Sequence, residues 1–135
     1  MYLLRIGYLK MENAQMKLNE SKRHTEALHQ ALQVILTSNI TGSINEIILY
    51  GSAARDQLKY DSDIDLLVVF DEKLKGNNDF YRKIRKLRSD LTDLDFGYFL
   101  QIDMRSSFGD TWKTSDGAYY YQIRVDGKVL WKKSN

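Results

Sequence analysis

The sequence has neither cysteine nor proline. Without cysteine the chain can form no disulfide and no thiolate metal site, and this composition fits a cytoplasmic protein. Without proline, no linker or helix end is marked by that residue. The sequence also has no apolar run near the roughly 20 residues that cross a bilayer, so we expect no association with a membrane.

The net charge is close to neutral, at +2. That balance argues neither for nor against a nucleic-acid partner, and we expect none. A length of 135 residues with a hydrophobic share of 43% suits a single domain over residues 1–135. Residues 1–10 lack the basic leader and cleavage site of a signal peptide. We interpret them as an extension of uncertain order, with Met11 as an alternative start.

The apolar pattern predicts alternating helices and strands. Helices are expected at about residues 12–36, 52–58 and 80–91, and strands at about 44–50, 64–70 and 94–104. Two interpretations remain for residues 119–131: a hairpin that turns at Asp126-Gly127, or a helix that ends at Gly127 before a short strand. Strands separated by helices predict an α/β (α+β) fold in which helices pack on a small sheet.

The most distinctive motif joins the first two predicted strands. Gly51-Ser52 ends one apolar run, and Asp63-Ile64-Asp65 opens the next. A Gly-Ser turn can approach a phosphate closely and offer it backbone N–H groups and a hydroxyl. Two carboxylates one residue apart on a strand lie on the same face, where they can bind Mg²⁺. Each part alone is common in structural turns, but their combination predicts a site for a metal–nucleotide complex.

This motif resembles the signature of the minimal nucleotidyltransferase (MNT) domains of the DNA polymerase β-like superfamily. The similarity is close over residues 47–69 and looser over residues 26–131. It implies a mixed sheet flanked by helices, and it favours the helix interpretation of residues 119–125. It also implies transfer of a nucleoside monophosphate, such as AMP from ATP, to a hydroxyl group with release of pyrophosphate. Mg²⁺, as two ions, is the implied cofactor.

The resemblance assigns roles by position. Gly51 and Ser52 match the phosphate-binding pair, and Asp63 and Asp65 match the catalytic metal ligands. Arg55 lies one helical turn beyond the Gly-Ser pair, where its planar guanidinium can neutralise phosphate charge.

Members of this family often use a third carboxylate on a later strand as a metal ligand and base. Asp95, at the expected start of the third strand, is the preferred candidate, and Asp103, at its far end, is the alternative. One position departs from the family pattern, because Asp56 stands where relatives often have glycine. An acid near a triphosphate is repulsive unless it faces away, so Asp56 puts the rate of turnover in question.

Proteins that resemble this one often serve as the antitoxin of a two-gene toxin–antitoxin pair. There they add AMP to a tyrosine of a HEPN-type ribonuclease toxin, so the resemblance implies a protein partner of that kind. Two other functions stay open: a binding module that neutralises a partner without turnover, and a small-molecule nucleotidyltransferase of the aminoglycoside-modifying kind. The oligomeric state is also left open.

Three weaker patterns are interpreted as structural. The basic residues between 82 and 88 predict a solvated helix face, with contact to RNA or an acidic protein as the alternative. His24 and His29 are five residues apart and are expected on the surface rather than at a metal. The tyrosines at 119–121 are expected to pack, with stacking on a nucleotide base as the alternative.

Overall fold

A computed structural model describes residues 2–4, 7–9, 21–97 and 100–134. The strands in these residues are β1 (Tyr2–Leu4), β2 (Gly7–Leu9), β3 (Ile44–Tyr50), β4 (Ile64–Phe70), β5 (Ile102–Phe108) and β6 (Lys128–Lys133). The helices are α1 (Lys22–Leu36), α2 (Gly51–Ala54), α3 (Asn78–Thr92), α4 (Thr111–Thr114) and α5 (Ala118–Asp126). Single turns of 3-10 helix lie at Thr41–Ser43 and Glu72–Leu74.

The strands form one mixed sheet in the order β1-β2-β6-β3-β4-β5. Strands β4 and β5 are parallel, and the other neighbours pair antiparallel. The predicted sheet flanked by helices is thereby confirmed. In the part of the chain that the structure describes, no helix is long and apolar enough to cross a membrane.

Helices α1 and α3 cover one face of the sheet. Each begins at a polar residue whose side chain accepts a hydrogen bond from a backbone N–H three residues later, Ser21 for α1 and Asn77 for α3. Their buried residues recur at helical spacing and meet the strands in the main core. A smaller core on the other face joins α4 and α5 to the sheet. The buried residues of this smaller core are Ile48, Leu67, Val69, Trp112 and Ile123.

The predicted third strand was wrong in position. Strand β5 begins at Ile102, whereas residues 94–97 and 100–101 form no strand and residues 98–99 lie outside the description. Gly97 has a φ of +90°, and its N–H donates to the Asp95 side chain at 3.0 Å, so the chain turns there. Leu94 and Phe96 pack against the main core. Their alternation with polar residues therefore reflects burial in a loop and not strand pairing.

The helix interpretation of the C-terminal segment is confirmed. Helix α5 ends at Asp126, and β6 follows directly after Gly127. A side chain at Gly127 would overlap the Ile123 carbonyl and lie 2.9 Å from Ile48, so glycine allows the close approach of the helix end to the sheet. Of the first predicted helix, residues 12–20 lie outside the description, as does Met11. The short helix predicted over residues 52–58 is α2, which begins at Gly51 and ends at Ala54.

Candidate active site

The Gly-Ser turn and the Asp-x-Asp motif meet at one end of the antiparallel pair β3–β4, where β3 finishes and β4 begins. Tyr50, the last residue of β3, pairs with Asp65 at the start of β4, so the turn that follows Tyr50 lies against that carboxylate. Gly51 has a φ of +73°. A Cβ built there would overlap an Asp65 carboxylate oxygen and lie 3.1 Å from its Cγ. Glycine is thus required both by the backbone conformation and by the proximity of Asp65.

Asp63 and Asp65 lie at the entrance to β4, as the sequence predicts. Asp65 is half-buried between two fully buried residues, and Asp63 is exposed just before the strand. The Asp63 carboxylate accepts a hydrogen bond from the backbone N–H of Gln101 at 3.2 Å. This bond ties the motif to the segment that leads into β5.

The parallel pairing of β4 and β5 places Asp103 beside Asp65. Asp103 is therefore the second residue of its strand and not the far end of one, because the strand begins at Ile102. Asp95 lies in the preceding loop, so its expected position at a strand start was wrong. It lines an open cavity of about 650 Å³ together with Asp63. Asp103, rather than Asp95, is the carboxylate that the sheet itself brings to Asp65.

The carboxylates concentrate negative charge around Asp65. Partial burial, followed by the neighbouring charges of Asp103 and Asp63, raises the pKa of Asp65 from 3.8 to about 6. The guanidinium groups of Arg105 and Arg55 act in the opposite direction. A raised carboxyl pKa among like charges is the electrostatic environment that a bound cation relieves.

The donor types suit a hard cation, although the ligands are not drawn together. In residues 21–97 and 100–134, no three His, Asp or Glu side chains converge closely enough to hold a metal ion. Asp103 instead lies 3.8 Å from Nε of Arg105. Carboxylate oxygens at adjacent strand positions fit the preference of Mg²⁺ for oxygen ligands.

Two tyrosines border the carboxylates. The sequence predicts packing for Tyr119, with base stacking as the alternative, and predicts no role for Tyr50. The Tyr119 hydroxyl donates to the Tyr50 hydroxyl at 3.0 Å, and the rings meet edge to face with centroids 5.9 Å apart. Burial raises the pKa of both hydroxyls, and the nearby charge of Asp103 acts in the same direction. The Arg105 guanidinium lies 5.9 Å from the Tyr119 ring centroid. The only sequence signal for Tyr50 is its place directly before Gly51.

Arg55 and Asp56 follow helix α2. Nη1 of Arg55 is 3.6 Å from the Asp126 carboxylate at the end of α5, and its Nε donates to the Gln57 side chain at 3.1 Å. Asp56 is exposed and has a φ of +58°, a left-handed conformation that glycine adopts most easily and aspartate tolerates.

Comparisons with known proteins identify the family. A family model described as "Polymerase beta, Nucleotidyltransferase" matches residues 30–135. No curated protein matches the sequence significantly. A proposed nucleotidyltransferase from Sulfolobus solfataricus superposes with a TM-score of 0.46 and 20% identity, over 90% of this chain and 86% of that one. A toxin–antitoxin structure with AMP-PNP superposes with a TM-score of 0.44 and 18% identity, over 84% and 75%. These two likenesses are too distant to support an argument about function.

Proposed function

Because this chain belongs to the polymerase β nucleotidyltransferase family, we propose that it transfers a nucleoside monophosphate from a nucleoside triphosphate to a hydroxyl group. The observation that carries the proposal is the strand register, which places Asp65 and Asp103 at adjacent positions beside the Gly51 turn, with Asp63 just before the same strand. Carboxylates grouped next to a turn that can hold phosphate do not stabilise the fold, because their charges repel one another.

We assign the triphosphate to the turn after β3. The backbone there approaches Asp65 without an intervening side chain, so phosphate oxygens held at Gly51 and Ser52 lie next to the carboxylates. Arg55 contributes positive charge on the same side, as its effect on the Asp65 pKa indicates. Its ion pair with Asp126 is partly exposed and weak enough to yield to phosphate.

Asp63, Asp65 and Asp103 are the residues that would hold Mg²⁺, and Asp103 takes the place first given to Asp95. Bound Mg²⁺ supplies positive charge that neutralises the phosphate oxygens. In the transfer, the acceptor oxygen forms a bond to the α-phosphorus while the bond from that phosphorus to pyrophosphate breaks. The acceptor proton passes to a carboxylate, for which we propose Asp103 because it lies at the border with solvent and with Tyr119.

We further propose ATP as the donor and a hydroxyl of a partner protein, of the HEPN toxin kind, as the acceptor. The support is the motif resemblance over residues 47–69. Helix α5 adds to it, because it carries Tyr119 to the site while Tyr121 and Val125, on the same helix, are each 59% exposed. Exposed apolar side chains on the helix that reaches the site suit contact with a protein acceptor.

A non-catalytic binding module is the second candidate. The observation that favours it is the Arg105–Asp103 contact, which places a positive charge 3.8 Å from one of the carboxylates. In that case the chain would inhibit its partner by complex formation alone.

Incubation with α-labelled ATP, Mg²⁺ and the product of the neighbouring gene separates the two candidates. We expect label on the partner, lost in Asp63→Ala and Asp65→Ala and retained in Asp116→Ala, a matched control at an exposed loop residue. Tight complex formation without label, unchanged by the first two substitutions, would establish the binding module instead.

A further inference from the structure

The first turn of α1 lies under the segment that leads into the Asp-x-Asp motif. His24 is only 2% exposed, so its expected surface position was wrong, whereas His29 is exposed as predicted. The preceding residue, Arg23, is half-buried at the same place. Both side chains reach backbone carbonyl groups of the loops around the carboxylates.

His24 anchors the residue directly before Asp63. Its Nε2 is 2.9 Å from the Ser62 carbonyl oxygen, and its Nδ1 is 2.7 Å from the Ser21 hydroxyl. Since a carbonyl can only accept, Nε2 carries the hydrogen of this bond. A buried hydrogen bond of this kind restricts the loop, because breaking it leaves the carbonyl without a partner.

Arg23 connects the two loops that precede β4 and β5. Its Nε donates to the Phe96 carbonyl at 2.9 Å, and its Nη1 donates to the Tyr60 carbonyl at 2.8 Å. Its guanidinium also lies 4.4 Å from the Tyr60 ring centroid. One planar side chain therefore fixes the distance between the segments that carry the two sides of the site.

The two loops then meet at Asp63 itself. The N–H of Gln101 donates to the Asp63 carboxylate, and the N–H of Ile64 donates to the Gln101 carbonyl at 3.0 Å. A shift of either loop thus moves the Asp63 carboxylate relative to Asp65, which is held by the β-sheet.

We infer that Arg23 and His24 are positioning residues that hold the Asp63 carboxylate in place for the metal–nucleotide complex. The inference rests on the proposed function, but it assigns a task to residues of α1 outside the motif. Neither residue touches the phosphates or the reacting atoms. Both act through the backbone of residues 60–62 and 96.

The test compares His24→Leu, which removes the donor, with His24→Gln, which keeps an N–H at the position of Nε2. The probe is Mn²⁺ with a non-hydrolysable ATP analogue, and bound Mn²⁺ is measured by electron paramagnetic resonance. Loss of a group that orients a metal ligand weakens metal binding by about 10- to 100-fold. We therefore expect His24→Leu to raise the half-saturating Mn²⁺ concentration about 10-fold, and His24→Gln to stay within about 3-fold of the original protein.

Arg23→Gln provides a second variant should His24→Leu fail to fold, and Lys22→Gln is its matched control at an exposed position of the same helix turn. We expect weaker Mn²⁺ binding in Arg23→Gln and no change in Lys22→Gln. Folded His24→Leu or Arg23→Gln with unchanged Mn²⁺ binding overturns the inference and leaves the proposed function intact. No Mn²⁺ binding by the original protein overturns both.

Discussion

The two faces of strand β4 differ in what they contribute. On one face, Ile64, Leu66, Val68 and Phe70 are fully buried against α1 and α3. On the other, Leu67 and Val69 are fully buried, but the row begins with the half-buried Asp65. The site therefore lies where the smaller core ends, and the rigid strand holds Asp65 in place. Substitutions on the two faces should affect different properties, stability on the first and transfer on the second.

Asp103 extends the Asp65 face onto the neighbouring strand, and its replacement should have the largest effect. We expect Asp103→Asn to lower the transfer rate on the order of 10³-fold, because a metal ligand contributes several kcal/mol to charge stabilisation. Asp95→Asn, in the loop, is the matched comparison, and we expect it to stay within about 5-fold of the original rate. Labelled-AMP transfer measures both. The opposite order would restore Asp95 as the third carboxylate.

The second-largest effect is expected on the buried face of β4, where Leu66→Ala is the test. Removing a fully buried leucine from a packed core should lower the free energy of unfolding by about 2–5 kcal/mol. Urea denaturation followed by circular dichroism gives this value. At a urea concentration and temperature where the variant remains folded, its transfer rate should match that of the original protein. A lost rate in a folded Leu66→Ala would mean that the two faces are not separable.

The sequence predicts those features of the site that depend on residues close together in the chain, and not those that depend on distant ones. Strands β3 and β4 each contain a continuous apolar run, residues 47–49 and 66–70. The Gly51 turn and Asp65 lie next to these runs in the sequence, so short-range patterns were sufficient to predict them. The position of Asp103 beside Asp65 depends on the parallel register of β5 with β4. This register pairs residues 38 apart in the sequence, so no local pattern predicts it. The alternation of apolar and polar residues at 94–96 led to the wrong prediction of a strand. A loop with two side chains packed on the core produces the same alternation.

Contacts between side chains on different elements could not be predicted from the sequence either. His24 meets Ser62 through a helix packed beneath the loop, and Tyr119 meets Tyr50 through α5 lying across the sheet. Neither pairing has a spacing rule, since each depends on how whole elements dock. The positive φ at Asp56 was not predicted from the sequence either.

The charge at Asp65 gives a smaller effect on stability, opposite in direction to that of Leu66→Ala. The folded pKa of about 6 exceeds the usual 3.8, so the folded state holds the proton more tightly than the unfolded state. Ionised Asp65 consequently destabilises the metal-free protein above pH 6, and this cost fades as the pH falls from 6 towards 4. Because Asp65 is half-exposed, solvent screening reduces the cost to about 1 kcal/mol.

We therefore expect Asp65→Asn to raise the free energy of unfolding at pH 7.5 in EDTA by about 1 kcal/mol, with the gain shrinking at pH 4.5. Urea denaturation at the two pH values measures it, with Asp116→Asn as an exposed control. Equal stability of Asp65→Asn and the original protein at both pH values would show that the carboxylates do not strain the fold.

The expected effects at Asp56 are no larger than the one at Asp65, and they decide whether the departure from the pattern of the resemblance matters. Its left-handed backbone favours glycine, so Asp56→Gly should stabilise the protein by about 0.5 kcal/mol, while Asp56→Ala should destabilise it by about 1 kcal/mol. Both variants remove the same charge, so thermal denaturation isolates the backbone term. If both raise transfer equally, the acid repels the triphosphate. If neither does, the exposed carboxylate faces away from the phosphates, and the aspartate is tolerated because it can adopt the conformation that the turn requires.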